Sequence, residues 1–177
     1  MRRLFIGFAG LLIAAAVTTA AVAGNVHFKK PLPSISKGSN FALTASGINL
    51  TGLGNGDLRI IIQATGTGTA QCQNPGGNSK VPGQNPVAVN VSGSVDVPAG
   101  ALVNGNVTGL SVSTTAPQQP TPAQAGCPND SWSVVSFSVS YTSATLTVFQ
   151  DSNGQNGVFD APGTQVLQQT FNFSPAL

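Results

Sequence analysis

The sequence predicts an all-β domain, built as an antiparallel β-sandwich of eight or nine strands with one disulfide bond. Charged residues make up only 7% of the chain and glutamate is absent, whereas long helices usually carry Glu, Lys and Arg on their exposed faces. Several segments alternate apolar and polar residues, and Gly-, Pro- and Asn-rich spacers separate them. Without crossover helices the strands must be mostly antiparallel, and they bury their apolar faces by stacking two sheets or by closing a barrel. We expect the stacked form.

The first 23 residues have the pattern of a secretory signal peptide. Two arginines precede an apolar run, Leu4 to Val17, and small residues at Ala21–Ala23 follow it. The alternative, an uncleaved membrane anchor, is disfavoured because the run is short and is broken by glycines. We therefore expect cleavage before Gly24, a secreted or cell-surface protein with no remaining membrane span, and a single domain over residues 24–177.

Cleavage would leave a nearly neutral protein. Nucleic-acid binding needs a basic surface that can neutralise phosphates, so we expect no nucleic-acid partner. The five cations and five anions that would remain are Lys29, Lys30, Lys37, Arg59, Lys80, Asp57, Asp96, Asp130, Asp151 and Asp160.

The first half of the chain contains a predicted hairpin. Residues Phe41–Leu50 and Leu58–Thr65 flank a connection rich in Gly and Asn, whose residues tolerate the positive φ angles of tight turns. Three consecutive isoleucines, Ile60 to Ile62, indicate a central strand covered on both faces. Shorter strands are predicted at Val26–Phe28 and Thr67–Cys72.

The second half shows the clearest alternation. Val87 to Val97 places valines on one face and polar side chains on the other, which is typical of a half-buried strand. Val135–Thr142 and Leu146–Val148 alternate in the same way and predict a second hairpin. Their outward Ser and Thr rows could form a flat hydroxyl surface for sugars or another sheet, or a plain solvated face. The remaining strands are predicted at Val107–Thr114 and Gln165–Phe173.

Two cysteines, Cys72 and Cys127, lie beside turn residues. In an oxidising compartment such a pair most simply forms one disulfide. A zinc site is disfavoured because only one histidine is present, and there is no Cys-x-x-Cys redox motif. Each cysteine lies at one end of an irregular proline-containing segment, residues 73–86 and 116–129, so the bond would hold two long loops, here called the tethered loops.

Trp132 follows Cys127 by five residues and could pack on the disulfide, as a tryptophan does in immunoglobulin-like domains. The order Cys72, Cys127, Trp132 departs from the Cys…Trp…Cys order of that family. The sandwich is therefore expected to be immunoglobulin-like only in a broad sense.

Three segments carry a resemblance to known proteins: Gly52–Gly56, Cys72–Pro86 and Thr121–Trp132. Their turn and disulfide motifs resemble those of a widespread set of small exported bacterial β proteins of uncharacterised role, over most of the chain after the signal. The resemblance implies a secreted β domain and transfers no active site.

Catalytic machinery is hard to find in this sequence. The only histidine, His27, lies near the expected N-terminus and is best interpreted as a partly exposed strand residue. Without glutamate, paired-carboxylate chemistry would need two of the five aspartates. Asp57 and Asp130 are interpreted as turn formers, and Asp96 is expected to face outward in its strand. Asp151 with Asp160 is the remaining pair for an Asp-dependent hydrolase. We expect a protein that is not an enzyme.

Residues 151–160 form the one metal candidate. Oxygen ligands at alternate positions with nearby glycines suit a hard cation such as calcium, and the candidate ligands are Asp151, Asn153, Gln155 and Asp160. Asn156 stands where such loops require Gly, and Pro162 stands where a bidentate Glu is expected. The competing interpretation is an Asn/Gly loop that connects two strands.

These observations favour a secreted or surface-associated, non-enzymatic domain that binds an extracellular ligand or surface component through the tethered loops, which sit on a rigid scaffold. One alternative is a structural subunit of an extracellular coat or fibre. Another is a weak calcium-binding or Asp-dependent hydrolytic function.

Overall fold

Nine strands form two antiparallel sheets in the parts of the chain that the computed structural model describes, residues 25–151 and 156–177. The predicted signal peptide lies outside the described residues. Within those ranges no helix is long and apolar enough to span a membrane. The elements in chain order are β1 (His27–Phe28), β2 (Ser34–Lys37), β3 (Leu43–Thr51), β4 (Leu58–Gln73), β5 (Lys80–Pro82), β6 (Val87–Val97), a 3-10 helix (Ala99–Ala101), β7 (Val107–Ser113), α1 (Pro122–Ala125), β8 (Ser133–Gln150) and β9 (Thr164–Asn172).

The two sheets are unequal in width. Sheet A has β3 at its centre, with β1 and β2 paired to one side of it and β7 to the other. Sheet B has the order β6, β4, β8, β9, and β5 continues the β6 side of β4. The predicted all-β antiparallel fold is confirmed.

The core lies between the sheets and draws on both. Leu43 and Ile48 of sheet A and Ile60, Leu146 and Val148 of sheet B are fully buried and belong to one apolar cluster. Period-two alternation causes this arrangement, because every second side chain of a strand points to the same face. The opposite face of sheet B is polar, and the hydroxyl of Thr145 lies 3.0 Å from that of Thr170.

Two predicted hairpins are wrong. The segment Phe41–Leu50 became β3 and Leu58–Thr65 became part of β4, but these strands belong to different sheets, so the turn between them carries the chain across the sandwich. The second predicted hairpin is a single strand, β8, of 18 residues. Its pairing with β4 shifts between Thr65 and Gly66, which leaves Thr142 as the extra residue of a β-bulge.

Strand β4 is central, as the isoleucine run predicted. It pairs with β8 on one side and with β6 and β5 on the other. Ile60 and Ile62 are fully buried in the core, whereas Ile61 faces the outer side and is only half-buried. The prediction that this strand is covered on both faces is therefore correct for the inner face, whereas the outer face is only partly covered.

Candidate functional site between the tethered loops

Cys72 and Cys127 form the predicted disulfide, with Cα atoms 5.7 Å apart across a sequence separation of 55 residues. Cys72 lies near the end of β4 and is fully buried. Cys127 directly follows α1 and its C-cap Gly126. The bond therefore joins the end of a central strand to the end of a short helix in the second tethered loop.

The first tethered loop is more regular than its composition predicted. Residues Lys80–Pro82 form β5, which pairs with Gln71–Gln73 and closes a hairpin. Asn74 shapes the turn: its amide donates to the carbonyl of Ser79 at 3.1 Å, and its side-chain oxygen accepts from the Ser79 amide at 3.1 Å. The prediction of an irregular segment over residues 73–86 was therefore wrong for Gln73, which ends β4, and for Lys80–Pro82, which form β5.

Main-chain hydrogen bonds join the two tethered loops next to the disulfide. The amide of Asn85 donates to the carbonyl of Ala125 at 3.2 Å, and the amide of Gln84 donates to the carbonyl of Gly126 at 3.4 Å. Gly83 has no room for a side chain, because a Cβ there would lie 2.5 Å from the Ala125 carbonyl oxygen. The loops thus pack as one unit, and the disulfide is only one of their links.

The helix α1 fixes the second loop by its caps. The Thr121 hydroxyl accepts from the Gln124 amide at 3.3 Å, and the Gln124 side chain accepts from the Thr121 amide at 2.9 Å, which is a capping box. Pro122 occupies the first turn, where its missing N–H costs nothing. Gly126 ends the helix in the left-handed conformation with φ of 67°.

A groove of about 500 Å³ lies between the second tethered loop and β6, and we call it the β6 groove. Its lining, as far as the structure describes the chain, contains no charged side chain and consists of amides, hydroxyls and small apolar groups. Its lining residues are Val87, Ala88, Val89, Asn90, Val91, Thr115, Ala116, Pro117, Gln118, Gln119, Pro120 and Gln124.

One wall of the groove is the outer edge of β6. Thr115 donates its amide to the carbonyl of Ser92 at 2.9 Å, so the main-chain groups of Ser92 point away from β4. The pairing of β4 with β6 runs from Val87 to Val97 without a register shift. Since main-chain direction alternates along a strand, the N–H and C=O groups of Ala88 and Asn90 also point into the groove.

The facing wall does not pair with this edge at Ala88 or Asn90. Pro117 and Pro120 have no N–H to donate, and no main-chain hydrogen bond joins Ala88 or Asn90 to the described residues of that loop. Gln119 is fixed by the bond from its side-chain amide to the Val134 carbonyl, at 2.7 Å. The outward main-chain groups of Ala88 and Asn90 therefore have no main-chain partner among the described residues. They lie between two walls that hydrogen bonds hold in place.

The opposite end of the sandwich contains two buried aspartates. Asp57, predicted as a turn former, lies in the β3–β4 connection and is 1% exposed. Its carboxylate accepts from the amides of Ala99 and Gly157, and the Gly157 distance is 3.0 Å. Asp151, 6% exposed, accepts from the amides of Asp57 at 3.0 Å and Asp160 at 3.2 Å. All four carboxylate oxygens thus hold the main chain of neighbouring loops together.

The predicted calcium ligands fall partly outside the described residues. Asn153 and Gln155 are among the residues that the structure does not describe. Asp151 and Asp160 lie together, and the Asp160 carboxylate accepts from the Asn156 side chain at 3.1 Å. Among residues 25–151 and 156–177 there is no group of three or more His, Cys, Asp or Glu side chains that could hold a metal ion. The calcium site stays a prediction.

His27 is exposed in β1, and its Nδ1 lies 2.7 Å from the Asn25 carbonyl oxygen. At the Asp57 end of the sandwich, Arg59 and Asp96 form a bidentate ion pair with both N···O distances at 2.7 Å. The hydrogen bond from Arg59, helped by its positive charge, lowers the pKa of Asp96. The guanidinium also lies 4.6 Å from the centre of the Phe159 ring.

These features define a disulfide-bonded β-sandwich with an uncharged groove beside an open strand edge. Comparisons with protein-family models, with curated proteins and with solved structures found no match to this chain.

Proposed function

We propose that this protein is a secreted or surface-associated, non-enzymatic domain that binds an uncharged, extended peptide segment in the β6 groove. The observation that carries the proposal is the pair of outward main-chain positions, Ala88 and Asn90, in a groove whose other wall contains Pro117 and Pro120. An extended peptide can add a strand to such an edge, with main-chain hydrogen bonds giving affinity.

The lining favours a neutral ligand. Asn90, Gln118 and Gln124 offer amide groups that both donate and accept hydrogen bonds, whereas a charged ligand would find no opposite charge among the lining residues. Strand residues rise by about 3.4 Å each. The five β6 residues that line the groove, Val87 to Val91, therefore accommodate a ligand segment of about five residues.

The links between the tethered loops would preorganise the groove for a ligand. The disulfide and the bonds from Gln84 and Asn85 hold α1 against the β4–β5 hairpin. A site that is already ordered loses less conformational entropy on binding. Removal of the disulfide in a Cys72→Ala/Cys127→Ala variant should therefore weaken binding even where the sandwich remains folded.

The test is an array of uncharged unstructured peptides probed with the secreted protein, with a glycan array in parallel. Ala88→Pro removes an outward N–H without removing a bond to β4, so it should abolish peptide capture. Ser94→Pro is the matched control, because Ser94 has the same orientation on the same edge but lies outside the groove. Capture by the wild type and Ser94→Pro but not by Ala88→Pro would support the proposal. Glycan capture alone, or no capture on either array, would refute it.

A further inference from the structure

We propose that two copies of this chain associate through strand β9, which pairs antiparallel with β9 of the second copy and joins the two B sheets into one. The inference does not depend on the peptide-binding proposal, because β9 lies at the edge of sheet B opposite to β6.

The outer edge of β9 carries main-chain groups that pair with no other described strand, and the Thr170 carbonyl accepts a hydrogen bond only from the Gln169 side-chain amide, at 3.0 Å. Among the described strands, β9 pairs with β8 alone. The amide of Phe173 donates to the Thr142 carbonyl at 2.9 Å, so Phe173 and, by alternation, Phe171 and Gln169 direct their main-chain groups toward β8. Thr170 and its alternate neighbours Gln168 and Asn172 therefore direct theirs outward.

Strand β9 also lacks the features that usually protect an edge. Proteins prevent edge-to-edge pairing with charges, prolines, very short strands or covering segments. Strand β9 has nine residues and contains neither a charged residue nor a proline.

The other outer strands of the described sheets are protected in these ways. Strands β1, β2 and β5 have two, four and three residues, with Lys37 in β2 and Pro82 in β5. The end of β7 lies against β6, where the Ser113 carbonyl leaves no room for a side chain at Gly93. Strand β6 carries Asp96, and the part of its edge that stays open lies inside the β6 groove, where it faces the second tethered loop.

The apolar side chains on the core face of β9 are only partly covered by the described residues. Leu167 and Phe171 pair with the buried residues Val148 and Ala144, so their side chains lie on the core face of sheet B. Both pack against the apolar cluster but remain only partly buried. A second strand alongside β9 would cover their exposed flanks, and burial of apolar surface stabilises association.

A second copy fits this edge better than a charged partner, because β9 is neutral and self-complementary. A two-fold axis at Gln169 would place Leu167 opposite the partner's Phe171, and Phe171 opposite the partner's Leu167. The same register would place Gln168 opposite the partner's Thr170 and keep polar residues together on the outer face. Such an interface uses the same surface on both copies, so it closes at the dimer.

The test is the mass of the secreted protein by light scattering and sedimentation equilibrium at submillimolar concentration. We expect the mass of two copies. Gln169→Lys and Gln169→Asp each put like charges opposite one another at the centre of the interface, which destabilises strand pairing. Each variant alone should therefore give the mass of one copy, and an equal mixture of the two should regain the mass of a dimer.

Thr108→Lys is the matched control, since it adds the same charge to an exposed position on β7 of sheet A. It should leave the dimer intact. A monomeric wild type would overturn the proposal, as would Gln169→Lys with the mass of a dimer. Because the charge-swapped mixture must restore association, a variant that merely fails to fold cannot imitate the expected result.

Discussion

Asp57 and Asp151 hold each other through the main chain: the Asp151 amide donates to the Asp57 carbonyl at 3.0 Å, and the Asp57 amide donates to the Asp151 carboxylate at 3.0 Å. Both are buried, and each carboxylate reaches a further loop. The pair therefore fastens the β3–β4 connection to the β8–β9 connection and to the 3-10 helix.

Asp57→Asn should lower the free energy of unfolding by about 1–3 kcal/mol, because one carboxylate oxygen becomes an NH₂ group facing a main-chain donor. Urea unfolding at neutral pH measures the loss. Asp130→Asn, at an exposed position, should change the free energy of unfolding by less than about 0.5 kcal/mol. Equal stability of wild type and Asp57→Asn would mean that these bonds contribute nothing.

Gly56→Ala should be strongly destabilising. A Cβ at Gly56 would overlap the carbonyl oxygen of Asp151, so the junction between the two loops would have to separate, at a cost of about 1–3 kcal/mol. Gly100→Ala is the control, because a Cβ there meets nothing within 4 Å. Thermal unfolding of both variants should show a clear loss for Gly56→Ala alone; similar melting temperatures would contradict this packing.

The ion pair between Arg59 and Asp96 predicts a small pH dependence. The pKa of Asp96 is lowered in the folded state, mainly by the hydrogen bond from Arg59. Its contribution is therefore present above the ordinary carboxyl range and disappears as the pH falls through the folded-state pKa. Because both side chains are about a third to a half exposed, the pair should be worth only about 0.2–1 kcal/mol.

The measurement is urea unfolding of Asp96→Asn and wild type. Asp96→Asn should be less stable than the wild type near neutral pH and indistinguishable from it once the pH is well below the lowered folded-state pKa of Asp96. High salt should shrink the difference at neutral pH. A difference that grows on acidification would have the wrong sign for this ion pair.

Tyr141 should titrate late and stabilise a strained turn. It is fully buried, and burial raises the pKa of its phenol. Since it is the only tyrosine, absorbance of the phenolate reports this group alone, with a midpoint above about 10. The raised pKa stabilises the fold below the pKa of the unfolded chain and loses that effect as the pH rises through the folded value. A midpoint at or below the ordinary tyrosine value would contradict this burial.

Tyr141→Phe should lower the free energy of unfolding at neutral pH by about 1–3 kcal/mol. The hydroxyl donates to the Phe41 carbonyl at 2.9 Å. Phe41 adopts φ of 64°, a strained conformation for a residue other than glycine, which persists only where surrounding contacts stabilise it. Equilibrium unfolding measures the effect, and an unchanged free energy would show that the bond is dispensable.

The calcium hypothesis for Asp151, Asn153, Gln155 and Asp160 makes its own prediction. Excess calcium should raise the melting temperature, because a ligand that binds only the native state stabilises it. Asp160→Asn should remove the shift. No shift at millimolar calcium, with magnesium as the control cation, would exclude the site.

The sequence predicted the strands better than their partners. Val87 to Val97 could be placed almost to the residue because its alternation is uninterrupted. The glycine-rich connection at residues 53–57 indicated a turn correctly, but turn residues look the same whether the chain returns to the same sheet or crosses to the other. The bulge at Thr142 was hidden for a related reason: an extra residue in a strand resembles a short turn between two strands.

The candidate site was predictable in part. The cysteine pair located the tethered loops, but the groove depends on which edge of β6 stays open, and only the register with β4 determines that. Asp57 could not be recognised as buried, since a carboxylate satisfied by the amides of Ala99 and Gly157 depends on distant loops. Strand β2 was missed because four residues with a lysine carry almost no pattern.

The long pairing of β4 with β8 has a consequence for how the domain unfolds. It extends from Leu58 with Gln150 at the aspartate end to Gln73 with Ser133 at the disulfide end. The loops at the aspartate end and the tethered loops at the disulfide end are therefore attached to the same two strands. Neither end can unfold by separating β4 from β8 without removing the support of the other end. Separation of this one strand pair would remove the support of both ends together, so unfolding should be cooperative across the whole length of the sandwich.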